Sequence, residues 1–195
     1  MKLAVVAAVG SYTAADLEHK KQSLRTVLRP DTQLDMCVAD SGVPYVESSL
    51  ELYLSEVAVA RKVVEVAGMG YDAVVGTAFL DNGLDAAGEL ADIPVVGPAK
   101  TTMYMAATLA HKFGVITAAG DLPRHIWALA KLLGVVDRVV GIPTLKCTVA
   151  DFLHDADNAL AMLIATGRQL MEEQGAEAIV RGCGAATGLA PRIAP

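Results

Sequence analysis

The sequence predicts an α/β protein made of two duplicated parallel-sheet lobes. They are related by a pseudo-twofold axis and face each other across a cleft. Two observations carry this expectation. Runs rich in Val and Ile alternate with amphipathic runs along the whole chain. One strand-and-loop segment also recurs at a constant offset, Gly70-Tyr-Asp-Ala-Val-Val-Gly-Thr-Ala78 over Gly175-Ala-Glu-Ala-Ile-Val-Arg-Gly-Cys183, 105 residues apart.

The strand-like runs are 3–9, 33–38, 73–77, 94–97, 114–117, 138–142 and 178–181. They are mostly continuous in apolar residues, as strands covered on both faces must be. Helix-like runs lie between them at 15–28, 47–67, 84–90, 101–112, 124–133 and 150–173. Pro30, Pro44, Gly70, Pro94, Gly134, Pro143 and Gly175 mark the joins. Pro cannot continue a helix and Gly permits the turns. The alternation implies βαβ crossovers and a parallel sheet. In the last helical run, Leu153, Ala156, Leu160, Leu163 and Ile164 form one stripe, read as core packing.

The duplication extends further. Gly83-Leu84 lies over Gly188-Leu189 at the same offset, and the opening strand 2–10 resembles 112–120 at an offset of 110. The expected division is 1–97 for the first lobe and 98–184 for the second. Residues 185–195 would return towards the first lobe, cut short at Pro195. Ligands of open parallel sheets sit beyond the carboxyl ends of the strands. Ala78 and Cys183 stand at equivalent strand ends, one per lobe.

Composition bounds the function. The chain has 195 residues, 53% hydrophobic and 19% charged, with net charge −6. That is too apolar for disorder and too acidic for non-specific nucleic-acid binding. No run approaches the ~18 apolar residues of a membrane span. The apolar start is read as a buried strand and not a signal peptide, because a charged helical run follows at once. Three cysteines, Cys37, Cys147 and Cys183, lack C-x-x-C spacing. They point to thiols in a reducing cytoplasm. Cys37 and Cys147 read as packing residues. None of the four histidines has metal-ligand spacing, and no G-x-G-x-x-G follows the first strand.

Four segments together carry a family resemblance. They are Tyr71-Asp-Ala-Val-Val-Gly-Thr-Ala-Phe-Leu-Asp-Asn-Gly-Leu-Asp-Ala-Ala87, Ile93-Pro-Val-Val-Gly97, Phe113-Gly-Val-Ile-Thr117 and Gly175-Ala-Glu-Ala-Ile-Val-Arg-Gly-Cys183-Gly184. In this order and spacing the chain resembles the aspartate/glutamate racemase superfamily, and within it the hydantoin and allantoin racemases. The resemblance implies an isomerase with its active site in the cleft. It implies no cofactor, no metal and a small-molecule substrate such as a 5-substituted hydantoin or an allantoin-like compound. It also implies two cysteines acting as acid and base on opposite faces of the substrate. A thiol has a pKa near ~8.5, so modest tuning suits it to both roles. Loop amides beside each cysteine would stabilise the enolate-like intermediate.

Cys183 matches the second cysteine of that pattern. Ala78 stands where the first is expected, although Phe79, Asp81 and Gly83 of its context are present. The alanine is either natural or an engineered replacement, and either way the second thiol is missing. Ser11, Phe79, Thr117, Gly182 and Gly184 are the implied substrate-binding residues; Thr117 reads equally as a turn cap. Only Ser11 survives of the family's opening loop, and Lys100 stands where hydantoin racemases usually carry Glu. Two alternatives stay open. One is a single-cysteine decarboxylase of the arylmalonate type, against which Phe79-Leu80 speaks. The other is a non-catalytic small-molecule-binding relative. A homo-oligomer is expected, with neither nucleic acid nor membrane as partner.

Overall fold

The computed structural model describes residues 1–118, 120–186 and 193. The chain divides into two compact units, Met1–Pro98 and Ala99–Pro195. Each is α/β with a parallel sheet.

In the first unit the strands are β1 (Lys2–Ala7), β2 (Gln33–Val38), β3 (Ala73–Gly76) and β4 (Val95–Val96), in sheet order β2-β1-β3-β4. Helices α1 (Ala14–Arg25), α2 (Ser49–Ala67) and α3 (Leu84–Gly88) connect them. Strand β1 is apolar throughout because both its faces are covered. Leu3 and Val5 pack with Leu34 and with Leu24 of α1. Ala4 and Val6 pack with Val59, Val63 and Val66 of α2. Capping boxes start both long helices, Thr13 with Asp16 and Ser48 with Glu51, satisfying backbone N–H groups that the first turn leaves unpaired.

In the second unit the strands are β5 (Phe113–Ile116), β6 (Val139–Gly141) and β7 (Ala178–Arg181), ordered β6-β5-β7. The helices are α4 (Pro98–Leu109), whose first residue closes the first unit, then α5 (Pro123–Leu132), α6 (Val149–His154) and α7 (Ala156–Gln174). The strand-and-helix alternation predicted from sequence is present, with one correction. The single helix expected over 150–173 is two helices. Asp155 leaves helical geometry at φ −130°, ψ 73°, and its carboxylate accepts the Asn158 N–H at 3.1 Å, capping α7. The break changes the buried face. Ala159, Leu163, Gly167 and Leu170 are buried, while Ala156 of the predicted stripe is exposed.

The internal duplication is visible in the hydrogen-bond ladders. Leu3 pairs with Ala73 in the first unit, and Phe113 pairs with Ala178 in the second. The Asp72 N–H donates to the Lys2 carbonyl at 2.8 Å, and the Glu177 N–H to that of Lys112 at 2.9 Å. Beyond each strand, the Thr77 N–H donates to the Val6 carbonyl at 3.1 Å, and the Gly182 N–H to that of Ile116 at 2.6 Å. Helices α2 and α7 are each 19 residues long. Each is followed by a glycine of positive φ, Gly70 and Gly175. The predicted extension of the repeat to Gly188-Leu189, and most of the 185–195 segment, lie outside the described residues.

Gly83 illustrates how tightly the first unit closes. Its φ is +68°, and a Cβ there would overlap the Glu56 carbonyl of α2. Gly88 has nothing near its missing Cβ. Gly83→Ala should therefore lose about 3 kcal/mol or more of unfolding free energy, combining backbone strain with overpacking. Gly88→Ala should be neutral or slightly stabilising. Urea denaturation of both variants checks the contrast.

Candidate functional site

The two positions singled out by the repeat sit just past the ends of β3 and β7. The Thr77 ladder bond carries the chain one residue beyond β3 before it turns. Ala78 opens the turn and its carbonyl accepts the Asp81 N–H at 3.1 Å; the Asp81 carbonyl then accepts the Leu84 N–H at 3.0 Å. Asp81 adopts φ +56°, which its short polar side chain tolerates better than most. Its carboxylate is buried against the backbone of Gly97, where a Cβ would collide with it. Phe79 is also buried. The Ala78 backbone is thus held by a loop that is closed by Gly83 and packed on Gly97 after β4, and neither glycine can be replaced without moving it.

Ala78 itself is half-buried and lines a small pocket with Val6, Ala8, Val59, Gly76, Thr77, Asn82 and Leu84. Asn82 is 2% exposed. Its amide donates to the Ser55 hydroxyl at 2.6 Å, and Ser55 in turn donates to the Leu52 carbonyl at 2.8 Å. The Asn82 Oδ1 has no hydrogen-bond partner among the described residues. Ser11, beyond β1, has its hydroxyl buried and likewise without a partner. A buried acceptor left unpaired costs about 1–3 kcal/mol. Two such atoms in loops that follow β1 and β3 mark this end of the sheet as built for more than packing.

In the second unit, Gly182 is buried, and a Cβ there would press on Val115 and the Ile116 carbonyl. Only glycine lets β7 stay in register beside β5 at this point. Cys183 follows, half-buried, packed on the cluster of Ile116, Ala118, Leu145 and Leu163. Gly184 begins a short 3-10 turn, Gly184–Ala186. Thr117 is 2% exposed, and its backbone extends the β5–β6 pairing through bonds to Pro143 and Leu145. Within this unit Thr117, Gly182, Cys183 and Gly184 therefore gather past the ends of β5 and β7. Ser11, Ala78 and Phe79 lie in the first unit, past the ends of β1 and β3.

Electrostatically the two strand ends differ. Arg181, on β7, is half-buried; burial pulls its pKa below the ordinary arginine value, and electrostatic attraction to an ionised Cys183 acts the other way. Cys37, on β2, has its thiol pushed up, by burial first and by Asp35 second. That environment favours the neutral form. All three cysteines are thiols. Among the described residues, no group of three or more His, Cys, Asp or Glu side chains is arranged to hold a metal. Nor is any helix among them long and apolar enough to cross a membrane. Sequence reasoning missed Asn82 and Arg181. Each was visible as a polar residue among apolar ones, Asn82 between Phe79 and Leu84, and Arg181 at the end of an apolar strand.

The Asn82 pocket generates a stability prediction. Asn82→Asp places a buried carboxylate against the Ser55 hydroxyl, which already donates to the Leu52 carbonyl. Its pKa in the folded chain would be raised by burial, so the damage is fully present above that raised value, fades as pH falls from it towards the unfolded value near ~3.9, and is gone below that. Urea titrations should show a loss of about 2–4 kcal/mol at pH 7 and a clearly smaller loss at pH 4.

Comparison with known proteins places this geometry. The family model for Asp/Glu/Hydantoin racemase matches residues 13–195. A hydantoin racemase of Pseudomonas sp. (strain NS671) is 35% identical over 86% of this chain and 66% of its own length. One from Paenarthrobacter aurescens is 34% identical over 63% of this chain and 52% of its own length. The chain thus spans between about half and two thirds of these relatives. The solved allantoin racemase from Klebsiella pneumoniae superposes with a TM-score of 0.90 at 26% identity, covering 99% of this chain and 78% of that one. With a duplicated α/β fold, equivalent loops past β3 and β7, and this match over nearly its whole length, the chain belongs to the Asp/Glu/Hydantoin racemase family.

Proposed function

We propose that this chain acts on a small cyclic ureide, a 5-substituted hydantoin or an allantoin-like compound, as a cofactor-independent proton-exchange enzyme of the hydantoin racemase type. Cys183 is its acid/base. Ala78 occupies the position of the absent second thiol. The substrate class is supported by the hydantoin racemase relatives and the allantoin racemase neighbour.

The observation that carries the reading is the paired register of β3 and β7. The same ladder bond precedes Ala78 and Cys183, so they are structural equivalents, and one of them carries sulfur. In the proposed step the Cys183 thiolate takes the proton from the carbon next to the ring carbonyl. The S–H bond forms as the C–H bond breaks, and the electron pair moves onto the carbonyl oxygen. Backbone N–H groups of the glycine-rich turn that follows Gly182 stabilise that oxygen; the Gly182 N–H itself is bonded to the Ile116 carbonyl. Return of a proton from the same sulfur restores the same configuration. Inversion needs a second donor, and the methyl group of Ala78 supplies none. The net charge of −6 fits a small-molecule substrate better than a nucleic acid. A cytoplasmic, self-associating protein is part of the same reading.

The test compares this chain, Ala78→Cys and Ala78→Cys/Cys183→Ser by chiral chromatography of a single-enantiomer 5-substituted hydantoin, with the buffer rate subtracted. Ala78→Cys should racemise at least about a hundredfold faster than this chain, the usual scale for adding a general acid or base. The double variant should fall back. A folded Ala78→Cys variant without activity would rule out hydantoins as the substrate class. Malonate-type acids, read by gas release, would then be tried next.

A further inference from the structure

We propose that Arg181 is the positioning residue that keeps Cys183 in its thiolate form, a charge pair that the counterpart positions of the first unit, Gly76 and Ala78, lack. The inference rests on the reading of Cys183 as acid/base and adds to it a specific partner.

Strand geometry places the two side chains together. Along β7 the buried residues alternate, with Val180 and Gly182 turned one way. Ile179 and Cys183 share the other face, packed on one cluster, and Arg181 lies between them at the same periodicity. The ladder bond from Gly182 to Ile116 keeps this alternation running to Cys183. Residues two apart on a strand are about 6.5 Å apart. The arginine side chain spans such a gap easily, and an ionised Cys183 would favour its charge. Attraction is mutual, so the cation favours the thiolate as the thiolate favours the cation. Arginine suits a half-buried position because it stays charged there.

The duplication supplies the contrast. Arg181 is the counterpart of Gly76, and Cys183 of Ala78. A side chain at 76 is excluded, since a Cβ there would overlap Leu84. At these counterpart positions cation and thiol are present together in the second unit and absent together in the first. Other ionisable groups face this end of β7. Cys147 packs on the same cluster as Cys183. On α6, which packs against the turn at Gly184–Ala186, Asp151 has its carboxylate engaged with Thr148 at 2.7 Å. Strand β5 contributes no ionisable side chain. The face that α7 buries, Ala159, Leu163, Gly167 and Leu170, contributes none either.

The experiment is peptide-resolved alkylation by iodoacetamide across pH 5–10 on the full chain, Arg181→Leu and Arg181→Lys, with Cys37 and Cys147 as internal references. In the unaltered chain the Cys183 midpoint should lie below the ~8.5 of an ordinary thiol. Arg181→Leu should raise it by about one unit. The rate at pH 7 should fall about threefold, because a more basic thiolate is also more nucleophilic. Arg181→Lys should recover most of the shift, and the reference cysteines should not move. A Cys183 midpoint at or above ~8.5 in the unaltered chain overturns the pairing, and that arm needs no variant to fold. An unchanged midpoint in Arg181→Leu overturns it as well. Alkylation requires no turnover, so the two readings fail separately. A midpoint that shifts in a chain without proton exchange removes the proposed function alone. Proton exchange with an unmoved midpoint removes the pairing alone.

Discussion

Parallel pairing of β3 to β1, and of β7 to β5, positions every residue of the candidate site. Each pairing continues one residue past the strand, through the Thr77 N–H in one unit and the Gly182 N–H in the other. That extra bond holds the strand extended until residue 78 or 183, and the chain turns away only then. A one-residue slip would turn every side chain of the strand to the opposite face. The buried face prevents it. Val74 in the first unit and Val180 in the second are buried on strands whose neighbours are also apolar. Gly182 is needed because β5 lies too close for a Cβ. The position of Cys183 is therefore a consequence of core packing, set before any chemistry is considered.

The two units use this common frame differently. After β3 the loop is closed and dry in character. Gly83 meets the backbone of α2, Asp81 is buried against Gly97, and Asn82 is buried with its carbonyl oxygen unpaired. After β7 the turn is short and rich in glycine, with Arg181 and Cys183 half-buried. Proton chemistry at carbon needs a group that both takes and gives a proton near neutrality. A thiol beside a cation meets that need, and a methyl group on the equivalent loop does not. The asymmetry between the units is thus chemical, laid over backbones that share one register.

Much of the fold was legible in the sequence for one physical reason. Strands covered on both faces leave continuous Val and Ile runs, and β2 and β7 match their predicted limits of 33–38 and 178–181 residue for residue. The equivalence of Ala78 and Cys183 was legible because duplication preserved spacing as well as residue type. The break at Asp155 was not, since no proline or glycine stands near it (Gly167 lies further on, inside α7) and the apolar period continues across it. Only the capping bond to Asn158 reveals it. Asn82 was overlooked because Asp81-Asn82-Gly83 reads as a polar turn, and Arg181 because a lone polar residue has no period to betray it. Asn82 is distinguished by burial with an unpaired oxygen, and Arg181 by burial beside a thiol. Both properties arise only when the chain folds.

The central claim is that one sulfur, at Cys183, moves protons on one face of the substrate. Hydrogen–deuterium exchange at the stereogenic carbon, followed by NMR in heavy water for each pure enantiomer of a 5-substituted hydantoin, tests it most directly. The account predicts that this chain exchanges one enantiomer with retention of configuration and leaves the other at the buffer rate. Equal exchange of both enantiomers, or exchange accompanied by loss of optical activity, would contradict it.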